Sequence, residues 1–297
     1  MARKVLVGFA IVALLVAFVA LLGQKAPPPP VFPSPNGYAD FVKAGEMRSP
    51  GDAPNSRTAT LDELRTSVEN NRDALQLVRT GLTKQSRVTT EYSPAYMTTH
   101  MPELATFKGL ARALVAEGKL AELENRRGDA ARLYLDTIRF AHESVRGGLQ
   151  IDALVGLACE AIGITQLEPL STTLDAKQCR ELLPTLGMID ANRETFADVM
   201  KQEKTWSRRA FGWRERMQFL VLRILARRDL LAPGRQKLEA KFQAADTRRR
   251  RLLIDLASRA YELEKGKRPA TIAELAPDYL KAIPPDPTTG APMKNLP

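Results

Sequence analysis

Two hydrophobic patterns divide the chain. From Val5 to Gly23 it reads VLVGFAIVALLVAFVALLG, with no charged or strongly polar side chain. Beyond Asn36 the apolar residues recur at three- and four-residue spacing, the period of one helix face. At about 1.5 Å per residue a helix over the first run is roughly 28 Å long, close to the ~30 Å of bilayer hydrocarbon. By this reading no other stretch can span. The second pattern predicts helix after helix and nowhere alternates at period two. The expected fold is therefore all-α: an N-terminal transmembrane helix over residues 1–25, a proline-rich stalk over 26–35, a helical domain over 36–268 and a distinct tail over 269–297.

The apolar run reads as an uncleaved anchor. A removed signal peptide needs small side chains at the cleavage site, but cleavage after Ala20 would place Phe18 at the third position back, and cleavage after Gly23 would place Leu21 there. Arg3 and Lys4 before the run favour a cytoplasmic N-terminus, which puts the large remainder outside, periplasmic in a bacterium. Ala10, Ala13, Ala17 and Ala20 place small residues on one helix face. Such stripes let membrane helices approach closely, so a homodimer through them is one expectation and plain apolar filler the other. The following APPPPVFPSP prefers an extended polyproline form and reads as a stiff spacer.

Within the helical domain, Tyr38, Phe41 and Val42 share a short helix. Thr60-Leu61-Asp62-Glu63 has the form of a capping box before a helix expected to run to about Gln85. Ser86 to His100 is polar and irregular. From Pro102, suited to a first turn, helices are expected over Glu103 to Arg126, Ala130 to Arg146, Leu149 to Leu167, Asp175 to Met188 and Ile189 to Gln202. An apolar face on Met217, Leu220, Val221, Ile224 and Leu225 precedes Pro233-Gly234, and a last long helix follows from Gln236 to about Lys265. The Gly128-Asp129 turn with Leu120, Ala121 and Tyr134 resembles one tetratricopeptide unit, without a second copy at a fixed period.

Charge refines this picture. The formal charge is +10, and it is concentrated: residues 201–268 hold twenty Lys and Arg against eight Asp and Glu, leaving twenty-four against twenty-six elsewhere. An extracytoplasmic compartment argues against nucleic acid as the partner, so anionic lipid headgroups or acidic wall polymers fit such a patch better, with a solvated helix face as the plain alternative. Trp206, Phe211 and Trp213 among Arg208, Arg209, Arg214 and Arg216 form the most unusual cluster and are the candidate interaction surface, through cation–π stacking, a partner groove or a membrane-interface dock, with a packed helix corner as the equal alternative. The two cysteines, Cys159 and Cys179, would pair in an oxidising compartment. Their offset in a helical hairpin is awkward for a disulfide, and two buried thiols are expected.

The tail Ala260-Tyr261-Glu262-Leu263-Glu264-Lys265-Gly266-Lys267-Arg268-Pro269, continuing as ATIAELAPDYLKAIPPDPTTGAPM, resembles the C-terminal part of type II secretion major pseudopilins. The same tail, with NGYADFVKAG after the proline stretch, is similar to uncharacterised single-span helical bacterial envelope proteins. The resemblance implies that Gly266 ends a helix, that Leu275, Tyr279 and Leu280 dock back on Tyr261 and Leu263, and that Pro284-Pro285-Asp286-Pro287 with Gly290 builds a rigid turn. Calcium, known in some pseudopilin tails, lacks a ligand cluster here, since Asp278 and Asp286 are too few. Position 13 is alanine where pilins carry an assembly glutamate, and Val7 stands where a basic residue precedes their processing site.

No motif fixes a reaction. His142 lacks the second histidine of a zinc-protease helix, no nucleophile elbow or phosphate loop occurs, and Glu122 with Glu124 reads as surface charge. No cofactor or metal is expected. The expected role is binding or scaffolding from a membrane anchor. A cell-envelope glycan hydrolase using two carboxylates and a secretion-system accessory protein are the alternatives.

Overall fold

A computed structural model describes residues 30–49, 58–212 and 232–294, with Pro28, Pro54, Glu215, Met217 and Gln218 between them. The anchor run, its alanine stripe, Trp213, Arg214, Arg216 and most of the apolar face at 217–225 lie outside the described residues. Those described form nine α-helices and no strand: α1 Gly37–Met47, α2 Leu61–Asn70, α3 Arg72–Leu82, α4 Tyr96–Leu123, α5 Arg127–Glu143, α6 Gln150–Ser171, α7 Ala176–Ala191, α8 Phe196–Ala210 and α9 Ala232–Lys265, followed by a 3₁₀ turn at Ile272–Leu275.

Local chemistry explains most boundaries, including those that differ from the expected ones. The Thr60–Glu63 capping box forms, with the Glu63 carboxylate accepting from the Thr60 N–H at 2.8 Å. The expected single helix to Gln85 is instead broken at Asn71. Its side chain donates to the Ser67 carbonyl at 2.8 Å and accepts from the Ser49 N–H at 3.1 Å, competing with the backbone ladder. The fourth helix starts at Tyr96, ahead of Pro102, because Tyr96 stacks on His100 one turn later, ring centroids 4.6 Å apart. Pro169 ends nothing, lying inside the last turn of α6. Pro233 falls in the first turn of α9, where a missing N–H costs little.

Two hydrophobic cores meet on the α5–α6 pair. One gathers α1, α3 and α4 onto it through Tyr38, Phe41, Leu75, Phe107, Leu110 and Phe140, with Phe41 and Phe140 edge-to-face at 5.2 Å. The other joins α5 and α6 to α7, α9 and the tail through Tyr134, Ile138, Ile164, Leu186, Leu252 and Leu256. Close approach of α4 and α5 is set by Gly118, where a Cβ would lie 2.4 Å from the Tyr134 ring. Cys159 is buried in the first core and Cys179 in the second, both as free thiols. Burial pushes them up to about 12 and about 11, which keeps them unreactive.

Helix α6 is itself long and apolar enough to cross a membrane by length and composition, which corrects the expectation that only the N-terminal run qualifies. Here its apolar surface is consumed by packing on α5, α4 and α9. It also carries Asp152 and Glu160, both buried and hydrogen-bonded within the fold. It is the core helix of this domain.

The tail closes the second core rather than standing apart. Leu275, Tyr279 and Leu280 are buried in it, and the Tyr261 and Tyr279 rings lie 5.5 Å apart; Leu263 stays exposed. Gly266 ends α9 at φ +70°. In the proline turn, Asp286 Oδ1 accepts from the Thr288 and Thr289 N–H groups at 2.9 and 2.8 Å. From α7, Arg180 spreads over the Tyr279 ring, 4.2 Å from its centroid, and donates to both oxygens of Glu264 at 2.5 and 2.7 Å.

Three successive arginines of α9 hold this half together. Arg248 pairs bidentately with Glu168 of α6 at 2.7 and 2.6 Å. Arg249, fully buried, donates to Glu160 at 2.7 Å, Asp190 at 2.8 Å and Asp246 at 2.6 Å. Arg250 reaches Asp190 at 3.0 Å and the Pro285 carbonyl of the tail at 2.7 Å. Replacing Arg249 with Met removes the cation that Glu160, Asp190 and Asp246 share and leaves the buried Glu160 carboxylate without its guanidinium hydrogen bond, a loss of about 3–5 kcal/mol. Thermal unfolding monitored by circular dichroism should show Tm lowered by roughly 10 °C; an unchanged Tm would mean the network is not stabilising.

Candidate functional site

The candidate face is built on one irregular segment. Residues 83–95 run between α3 and α4 and are tied at several points. The Asn36 side-chain amide donates to the Arg87 carbonyl at 2.8 Å and accepts from its N–H at 3.0 Å. The Gly37 N–H donates to the Gln85 carbonyl at 2.9 Å, and the Val88 N–H to the Arg146 carbonyl at 2.8 Å. Further on, Trp206 Nε1 donates to the Glu91 carbonyl at 2.7 Å. Gly147, at φ +75°, turns the chain beside Arg87, whose Cγ would lie 2.8 Å from an added Cβ.

These ties shape two adjoining open grooves. One, of about 310 Å³, is lined by Arg87, Tyr92, Asp198, Lys201 and Trp206, with Pro28 and Pro30 along it. The next, of about 590 Å³, is lined by Lys84, Arg87, Arg139, Glu143 and Arg146 beside Val31, Phe32 and Pro33. Five cations thus face two carboxylates. Part of this charge is already engaged, since Lys84 pairs with Asp40 at 2.6 Å and Arg146 with Glu143 at 2.8 Å.

Of the residues expected to form the interaction surface, Trp206 is core. It is 7% exposed and packs with Tyr96, Leu149 and Ala210, its ring 5.8 Å from Phe211. Of the two sequence readings, contact surface or packed helix corner, Trp206 follows the second and lies beneath the face, its indole N–H meeting a backbone carbonyl and its rings aromatic neighbours. Arg209 lies over the Tyr92 ring at 4.6 Å, and Arg208 is half-buried on the same helix. Arg87, Tyr92, Lys84, Arg139 and Arg146 escaped the sequence reading, which had placed the first two in a featureless polar stretch.

The basic segment at 201–268 is likewise only partly surface. Arg248, Arg249 and Arg250 point into the α6–α7–α9 junction and are neutralised there, so neither a lipid patch nor a solvated helix face describes them. Glu122 accepts from Lys119 and Tyr134, and Glu124 pairs with Arg65 and Arg126.

Both histidines are internal. A small cavity of about 40 Å³ beside Arg249 is lined by His142, Glu160, Arg193, Glu194 and Phe242, room for water but not for an organic ligand. Burial pushes His142 below its ordinary range. Burial also works against the charge of Glu160, but His142, Arg249 and Arg193 hold it ionised, below the usual carboxylate range. Burial, with Arg249 beside it, brings the Arg193 guanidinium down to about 10; it is wedged between Asp246 and the Phe242 ring.

His100 is 1% exposed and links α4, α6 and α1. Its Nε2 faces Asp152 at 2.7 Å and its Nδ1 faces Glu103 at 3.1 Å, while Tyr38 donates to the same Glu103 oxygen at 3.0 Å. Only the imidazolium donates from both nitrogens. Burial opposes that charge, but the hydrogen bonds and charges of Asp152 and Glu103 outweigh it and raise His100 above its ordinary value. No metal-binding group of three or more His, Cys, Asp or Glu occurs among the described residues.

Neither family models, curated proteins nor solved structures give a match to the chain.

A folded-state pKa above the unfolded one means that stability is full below the unfolded value and is lost as pH rises through the folded one. Tm of the protein should therefore fall on going above neutral pH, and His100→Gln should flatten that slope while lowering Tm below it by an amount worth about 1–3 kcal/mol. A slope unchanged in the variant would exclude His100 as the titrating group.

Proposed function

We propose that the chain is a single-span, membrane-anchored extracytoplasmic protein that acts by binding or scaffolding, through the grooved cationic face around Arg87, Tyr92 and Lys201. The observation carrying this reading is the face itself: two adjoining open grooves lined by five cations, of which Lys84, Arg139 and Arg146 also bond within the fold, with Tyr92 and Trp206 along one of them. The apolar run from Val5 to Gly23 and the polyproline segment support the anchored placement. Adjacent cationic and aromatic side chains around an open groove suit an acidic partner, protein or envelope polymer.

A photocrosslinking residue at Lys201, compared with one at Lys267, tests the face in cells. Adducts should concentrate at position 201; equal yields at both positions would sink the reading. Protease added to spheroplasts should digest the domain, and full protection would reverse the topology.

One observation favours the hydrolase alternative. An open hollow of about 400 Å³ is lined by Glu168, Ser171, Thr172, Asp255, Ser258 and Arg268. Burial and the nearby Glu168 push Asp255 up to about 6, and its Oδ1 is buried without a partner. Glu168 is held by Arg248. A carboxyl with a raised value beside a second carboxyl group in one hollow is the kind of pairing that acid–base glycan cleavage uses. Because the Asp255 folded-state value is raised, stability should fall as pH rises from the ordinary aspartate range through about 6, and Asp255→Asn should remove that decline. Loss of glycan cleavage in the same variant would support the enzyme reading; an absence of cleavage by the wild-type chain would end it. The pseudopilin-like tail supports the secretion-accessory alternative by resemblance alone.

A further inference from the structure

The two acids that hold His100 are unlike one another, and the difference decides what loss of its proton does. Toward α6, Nε2 donates to Asp152 Oδ1 at 2.7 Å. Asp152 has no exposed surface, and its other oxygen accepts from the Leu149 N–H at 2.8 Å. On α4 itself, Nδ1 faces Glu103 Oε2 at 3.1 Å. The Glu103 side chain is 38% exposed. The same Glu103 oxygen accepts from the Tyr38 hydroxyl of α1 at 3.0 Å, and Tyr38 is buried. One atom therefore joins the imidazole to α1.

A neutral imidazole keeps one N–H and gains one lone pair. The remaining proton belongs on Nε2, because a fully buried carboxylate has no water to replace a lost donor, whereas Glu103 can turn to solvent. Nδ1 then sets a lone pair against a carboxylate oxygen, and that contact is repulsive. When Glu103 swings outward, the buried Tyr38 hydroxyl is left without its acceptor. Tyr38 leads on to Arg87, since Asn36 Oδ1 accepts from the Tyr38 N–H, capping α1, at 3.1 Å and from the Arg87 N–H at 3.0 Å.

Other ionisable groups surround the imidazole. Tyr38, and Tyr96 stacked on His100, are pushed well above the ordinary tyrosine range by burial and by Glu103 and Asp152, so neither phenol ionises near neutrality. Glu91, from the segment before α4, adds its negative charge near Tyr96. Glu203 of α8 accepts from the Gln150 N–H at 3.0 Å and lies near Asp152; its burial raises it, and His100→Gln leaves its titration in place. Other polar ties of α1 involve no histidine: Asp40 pairs with Lys84, and the Gly37 N–H donates to Gln85.

We propose that the proton on His100 is a switch for the docking of α1 on α4, and through Asn36 for the order of the segment that carries Arg87. With the proton in place, Glu103 is held inward and fastens α1 through Tyr38. Without it, α1 loosens and the Arg87 backbone loses part of its support. The switch does not depend on any ligand. Its consequence, a cationic face better ordered in acid than in alkali, rests on the binding role proposed above.

Hydrogen exchange of the full-length chain, read by mass spectrometry and corrected for the intrinsic rate at each pH, tests the switch without a partner. From about pH 6 to about pH 9, protection over α1 and over residues 84–88 should fall roughly fivefold or more, while α7, in the other core, stays level. His100→Gln should be loose at both pH values. Tyr38→Phe keeps the ring that packs on Phe107 and so remains informative even where the histidine variant does not fold. In it the pH dependence over α1 should vanish while the decline of Tm with pH persists. A fall shared equally by α7 would make His100 a determinant of global stability and overturn the switch. Full pH dependence of α1 in Tyr38→Phe, or none in the wild-type chain, would overturn it too. Loss over α1 with residues 84–88 unchanged would overturn the link to Arg87.

Discussion

The domain depends on the neutralisation of one buried cation. Arg249 has no exposed surface, and its guanidinium donates to carboxylates of α6, α7 and α9 itself. An unpaired guanidinium would not be tolerated there, so the three helices must approach in the one arrangement that brings Glu160, Asp190 and Asp246 together. Hydrophobic packing alone permits many sliding positions of α9 along α6 and α7; the ionic cluster permits one. Arg248 and Arg250 extend the constraint, since successive residues on a helix point about 100° apart. The first reaches Glu168 further along α6, and the second reaches the tail at Pro285. A run of arginines is thus a clasp between α6, α7 and the C-terminal turn.

A second polar junction fixes the other half. His100 is held between Asp152 and Glu103, and Asp152 also accepts from the Leu149 N–H at 2.8 Å, capping α6. One carboxylate therefore both starts the core helix and ties it to α4. Helix α6 carries an acid for each junction, Asp152 at its first turn and Glu160 near its middle. That explains how a segment apolar enough to span a membrane becomes the centre of a packed domain. Its three carboxylates, Glu168 included, are costly in lipid and are satisfied by partners from distant parts of the chain.

The helical character was readable because it is a local property. Spacing of apolar residues, the Thr60–Glu63 box, Gly266 and the proline turn around Asp286 all act within a few residues, and all stand in the structure. The break at Asn71 was not readable, because it needs the Ser49 N–H from a distant loop to favour the side-chain bond. The fate of Arg248, Arg249 and Arg250 was not readable either. Composition sees four adjacent arginines and suggests a surface, whereas the α6 and α7 carboxylates that the first three meet lie between 59 and 89 residues away in sequence. For Trp206 the sequence left surface contact and packed corner open for the same reason, its indole partner Glu91 being 115 residues away.

What remains for an external partner follows from that accounting. With Arg248, Arg249 and Arg250 engaged internally, the positive charge on the described surface comes from exposed residues of the basic segment, such as Lys201, Lys204, Arg235, Lys237 and Lys241, and from other parts of the chain as well. Lys84, Arg87, Arg139 and Arg146 come from parts of the sequence whose net charge is slightly negative, and the fold assembles them beside Lys201. Arg87 is the position all the ties converge on. Its backbone is held by Asn36, its side chain lies against Gly147, and it borders both grooves. Holding the backbone while leaving the guanidinium on the groove wall is an arrangement that stability alone does not require. The backbone bonds could be made by any residue there, and the fold already satisfies its core charges elsewhere. A cation presented on a rigid, multiply tied segment loses little conformational entropy on meeting an anion. That physical difference separates the arginines that build this protein from the one best placed to act for it.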